Sequence, residues 1–128
     1  MGEEADVTPR IQLPDLAIAA EPMPTDGPVL VQIEYRIKPE SRMDFLHAID
    51  AIGPTRRRNG ANSWRVFRDL SEDNLFVERY IITSWAEYMR LRMRMTEADR
   101  HIQDRAAEFQ QEGVALRVSR LIGVETHD

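Results

Sequence analysis

The chain has 128 residues, of which 42% are apolar, with a net charge of −5 and no cysteine. That length suits one domain with a buried core. The acidic balance argues against a general nucleic-acid binder, and the missing thiol excludes disulfides, thiol catalysis and cysteine-ligated metals.

No apolar run reaches the roughly 18 residues that a membrane-crossing helix needs. The start, MGEEADVTPR, is acidic and lacks the apolar stretch of a signal peptide. A cytoplasmic location is the expectation. Pro14, Pro22, Pro24 and Pro28 punctuate the first part of the chain, so residues 1–27 read as an extended tail or linker and 28–128 as the domain. Ile11, Leu13, Leu16 and Ile18 are apolar enough to dock on a neighbouring surface.

Val29–Ile37 alternates. Val29, Val31, Ile33, Tyr35 and Ile37 share one side, and Leu30, Gln32, Glu34 and Arg36 the other. Period two over this length predicts a strand. Pro39 suits the first turn of a helix, and Phe45, Ile49 and Ile52 give its apolar stripe. Gly53-Pro54 should end or kink that helix, leaving Arg56-Arg57-Arg58-Asn59-Gly60 as a basic turn.

Asn62–Leu70 is a second predicted strand, with Trp64/Val66 and Phe67 competing for the inward face. Ser71–Asn74 is a polar hairpin loop, and Leu75–Thr83 a third, more apolar strand. Ser84-Trp85-Ala86-Glu87 has the form of a capping box for a helix to about Met95. Thr96–Asp99 offers a second cap. Ala98, Ile102, Ala106 and Phe109 would stripe the helix that follows, with Gly113 as its stop and Val114–Val124 as the last strand.

The order β-α-β-β-α-β is the ferredoxin-like plan, an α+β fold with helices on one face of an antiparallel sheet. The other sheet face is only partly polar. A face-to-face homodimer closing a dimeric α/β barrel would cover it.

Two resemblances follow from these segments. The strand VLVQIEYRI, the Pro39-led helix with Phe45-Leu46, the strand WRVFRDL and the segment FVERYIITSWAEY resemble the dimeric α/β-barrel superfamily that includes the antibiotic-biosynthesis monooxygenases. GPVLVQIEYRIKPE, RRRNGANSWRVFRD, FVERYIITSWAEYMR and TEADR are similar to the C-terminal extension of major facilitator exporters of the transmembrane secretion effector type. This second likeness covers nearly the whole chain. It departs where such tails carry histidines, at the positions of Tyr88 and Arg92, and at Lys38, where an acidic residue is usual.

The resemblances imply two functions. One is a non-catalytic accessory or regulatory domain that dimerises, holds a small aromatic ligand and is fused to or associated with a membrane transporter. The other is a cofactor-independent monooxygenase acting on an aromatic polyketide-like substrate. Its pocket would hydrogen-bond an enolate, with Asn62, Trp64 and Tyr80 as the available residue types. Asn62 is also what a turn before a strand favours, and Trp64 and Trp85 suit a core or interface. The ligand-binding candidates are Trp64, Arg68, Tyr80, Trp85, Tyr88 and Met89.

No cofactor or metal is expected. His47, His101 and His127 lack metal-site spacing. Glu34, Glu78, Arg36, Arg65 and Arg68 read as ion pairs across strands or a dimer seam, rather than as an acid/base pair. Met89, Met93 and Met95 with Trp85 and Leu91 form a soft patch, read as core packing.

Overall fold

A computed structural model describes residues 18–126. Four strands form one antiparallel sheet: β1 (Val29–Arg36), β2 (Asn62–Arg68), β3 (Leu75–Ile82) and β4 (Arg117–Ile122), in the spatial order β2-β3-β1-β4. Between β1 and β2 lie α1 (Arg42–Asp50) and α2 (Ile52–Arg58), and between β3 and β4 lie α3 (Trp85–Arg94) and α4 (Glu97–Ala107). This is the expected α+β, ferredoxin-like fold.

The alternation of β1 decides which way it faces. Val29, Val31, Ile33 and Tyr35 are buried against Phe45, Ile49 and Ile52 of α1–α2 and Trp85, Tyr88 and Leu91 of α3. Burying side chains of this size stabilises by about 1.5–3 kcal/mol each. Phe45 anchors the centre, with ring centroids 5.2 Å from both Tyr35 and Phe76.

The first helical region departs from expectation. Pro39–Ser41 is a single 3-10 turn, and the helix breaks at Ala51, just before Gly53-Pro54, which lie in the first turn of a second helix. Pro54 is the third residue of α2, within the first turn, where amide donors have no intrahelical partner, so its missing N–H costs little. Arg56–Arg58 are therefore the last turn of α2 and not a basic turn, and Arg56 is buried.

A bulge separates Asn62 from Arg65 in the β2–β3 register, with Ser63 at φ 59°. It turns Trp64 and Val66 toward the helices and leaves Phe67 43% exposed on the far face. Gly53 makes room for the inward tryptophan: a Cβ there would lie 2.9 Å from the Trp64 ring.

Both predicted caps form. Ser84 accepts from the Glu87 amide, while Thr96 and Asp99 make a full reciprocal box. The stripe of α4 differs in part from expectation. Ile102 and Ala106, with Phe109 just beyond the helix end, pack on the core as expected, but Ala98 is exposed and the polar Asp99 and Gln103 are buried beside them. The soft methionine patch does not assemble either, since Met93 is 83% exposed.

Residues 18–27 contain no helix or strand. They are clipped to α3 nonetheless. The Trp85 amide donates to the Asp26 carbonyl at 2.7 Å and the Ala86 amide to that of Pro24 at 3.0 Å. These carbonyls satisfy two of the unpaired donors of the helix start. Among the described residues no helix is long and apolar enough to cross a membrane.

Candidate functional site

The space between sheet and helices holds a polar cluster around Glu78. The β3 alternation that buries Phe76, Tyr80 and Ile82 also buries this carboxylate, which is 0% exposed. Four donors reach it. Tyr35 Oη donates to Oε1 at 2.9 Å and Arg56 Nη2 to the same oxygen at 3.3 Å. Arg56 Nε and Trp64 Nε1 donate to Oε2 at 2.8 and 2.9 Å. Arg56 Nη1 donates to Gln103 Oε1, and its guanidinium lies 4.7 Å from the centre of the Tyr80 ring. Gln103 thus belongs here because α4 turns a polar stripe inward.

The ion pair of Glu78 differs from the cross-strand pairing that its neighbours Arg65 and Arg68 suggest. The partner is Arg56, delivered by α2 from the other layer. Arg36 instead pairs with Glu34 and Glu72 at the surface.

The electrostatics follow from burial and pairing together. Burial alone raises the Glu78 carboxyl, but the Arg56 charge and the hydrogen bonds from Arg56, Trp64 and Tyr35 outweigh it and hold the group below its ordinary value. Burial and the neighbouring Glu78 charge push the Tyr35 phenol well up. Burial, opposed in part by Arg56, pushes Tyr80 up to about 12. At neutral pH the carboxylate is ionised and both phenols keep their protons.

A second cluster lies where α3 meets β4. The Tyr88 hydroxyl accepts from Arg120 Nε at 2.6 Å and from Arg92 Nη1 at 3.4 Å. Trp85 packs on Tyr88 with ring centroids 5.8 Å apart. Beside them opens a cavity of about 340 Å³, walled by Ile18, Ala19, Ala20 and Pro22 on one side and by Val29, Trp85, Arg120, Leu121 and Ile122 on the other.

The candidate residues therefore divide. Trp64 and Tyr80 belong to the Glu78 cluster. Trp85 and Tyr88 belong to the second. Met89 packs against the core between surface and interior. Asn62 and Arg68 stand exposed at the two ends of β2, and neither hydrogen-bonds to a cluster. Sequence reasoning missed Arg120. The signal was there: Val118-x-Arg120-x-Ile122 is a period-two face with a cation in its middle. It also placed Arg56 in a basic turn, whereas the residue is buried.

Among the described residues no three His, Asp or Glu side chains converge as metal ligands would. His127 lies outside the described residues.

Comparison with known proteins adds lineage. The family model described as transmembrane secretion effector matches residues 1–128. No protein of curated function matches the chain. Among solved structures, a candidate antibiotic biosynthesis monooxygenase from Caulobacter crescentus superposes with a TM-score of 0.66 at 13% identity, covering 80% of this chain and 94% of its own. SnoaB, a cofactor-independent oxygenase from Streptomyces nogalater, gives 0.64 at 11% identity, covering 78% and 96%. A protein from Mycobacterium tuberculosis gives 0.61 at 18% identity, covering 79% and 99%. At these identities the likeness is one of fold.

Proposed function

Because the chain belongs to the transmembrane secretion effector family, we propose that it is a non-catalytic accessory domain that dimerises, holds a small ligand and acts alongside a major facilitator exporter. In this reading residues 1–27 are the linker from the transporter, residues 28–128 are its cytosolic domain, and the fold is that of a dimeric α/β barrel.

The observation that carries the non-catalytic part is the state of Glu78. A carboxylate has about four lone-pair sites, and four donors already occupy them. A general base needs a free lone pair near the substrate and a pKa near the working pH. Glu78 offers neither. Tyr35 and Tyr80, held as phenols, add no base.

Dimerisation is supported by the sheet face turned from the helices. There Leu30 lies between Ile81 and Leu121, Phe67 opposes Val77, and Arg79 Nε has no acceptor among the described residues. Leu121 is 48% exposed on this face. Light scattering at micromolar concentration should give twice the chain mass; a monomer mass sinks the barrel.

The second reading is a cofactor-independent oxygenase of an aromatic polyketide-like substrate, favoured by the likeness to SnoaB. Oxygen uptake with a reduced anthrone tests the choice. The accessory reading expects the buffer rate. Uptake above it, lost in Asn62→Ala and Trp64→Phe, would replace that reading with the enzymatic one.

A further inference from the structure

The cavity beside Trp85 has the size of a ligand site and an unbalanced charge. Its volume, about 340 Å³, falls at the lower end of the range of about 300–1,000 Å³ found for small-molecule sites. The wall is apolar, from Ile18, Val29, Trp85 and Ile122, with Arg120 as its charged member.

Arg120 is poorly matched by its own chain. Its Nε donates to a neutral phenol oxygen, and its Nη2, sealed from solvent, has no acceptor among the described residues. No carboxylate of the described residues lies within 4.0 Å of it. A second guanidinium, that of Arg92, converges on the same Tyr88 oxygen, also without a carboxylate partner among those residues. Two cations thus share one neutral acceptor. A buried donor left without a partner is unfavourable, and a negative charge placed beside the guanidinium would offset that.

With Nε committed to Tyr88 and Nη2 sealed, Nη1 is the nitrogen left to meet an incoming group. A charge-assisted bond from it favours a carboxylate over a neutral group. We propose that the cavity bounded by residues 18–22, Trp85 and β4 binds a small amphipathic carboxylate, with its anionic group on Arg120 and its apolar body against Trp85, Val29 and Ile122. This rests on the reading of the domain as a small-ligand binder and names the site and ligand class. One wall is the segment that leads into the domain, so an occupant would bridge that segment to the sheet.

Calorimetric titration of the full chain with 2-naphthoate, and with the neutral isostere 2-naphthamide, tests it. The carboxylate should bind at least tenfold tighter than the amide. Arg120→Gln should erase that preference, bringing the carboxylate down to the affinity of the amide. Ala20→Trp fills the cavity from an exposed position that does not threaten the core, and should weaken both ligands at least tenfold. Equal binding of the two ligands overturns the proposal. So does carboxylate binding that survives both substitutions, an outcome that keeps the small-ligand reading and rejects this site. Absence of binding by either ligand at about 1 mM also overturns it. The non-catalytic dimer reading is judged separately, by oxygen uptake and mass.

Discussion

Two arginines define two ends of the interior, and their surroundings differ. Arg56 meets a carboxylate, an amide oxygen and an aromatic face. Arg120 meets one phenol oxygen and an open cavity. The first is a closed network, in which each partner's charge answers the burial of the other. The second is open on one side. A closed polar network specifies packing; an open one has capacity left for something that is not part of the chain.

The contrast breaks most sharply if Arg56 is replaced. Arg56→Met leaves Glu78 buried without a cation, and urea unfolding should show a loss of about 3–5 kcal/mol. The pH dependence should also change sign. In the native chain the Glu78 carboxyl sits below its ordinary value of 4.5. Its contribution is then fully present above that value and disappears as pH falls through the lower folded value. Without Arg56, burial raises the carboxyl instead, so stability should fall as pH rises from the ordinary value toward the raised one. A variant whose unfolding midpoint still weakens only on acidification would show that Glu78 has another cation.

Gly53→Ala comes next. Helix propensity alone favours alanine by about 1 kcal/mol. Contact with the Trp64 ring at 2.9 Å should reverse that, for a net loss of about 1–2 kcal/mol in thermal or chemical unfolding. A gain would mean that Trp64 moves freely, and that the network is looser than its hydrogen bonds imply. Tyr35→Phe removes one of four donors to Glu78 and should cost about 1 kcal/mol. The smallest effect is expected from Arg120→Met, under about 1 kcal/mol, because no buried carboxylate loses its partner. If that substitution cost as much as Arg56→Met, the two ends would not differ in kind.

Much of this arrangement was legible in the chain. Period two marked β1, apolar content marked β3, and Ser84 and Thr96 marked the starts of α3 and α4. What stayed hidden were the long-range polar pairings. Three consecutive arginines read as a basic turn, because nothing local shows that Glu78, 22 positions later than Arg56 in sequence, waits in the opposite layer. Asp99 and Gln103 likewise fail any search for an apolar stripe, yet both are buried on the inward side of α4. Asp99 is matched by Asn59, Arg58 and Thr96, and Gln103 by Arg56. Local patterning reports where greasy residues go. It is blind to polar residues whose burial depends on a partner from another element.

The clip between residues 23–26 and the start of α3 has a mechanical side. The chain is fastened to α3 by the Asp26 and Pro24 carbonyls before Val29 enters the sheet. Tension arriving from the N-terminal direction therefore loads α3 first, through two backbone bonds, and reaches the ladders of β1, eight and six residue pairs long, only after those bonds give way. Trp85 donates one of those bonds. The domain thus has a weak link in series with a strong one, and the weak link sits at the cavity wall, so a pull on the incoming segment would be felt there as a change of shape while the sheet held its register.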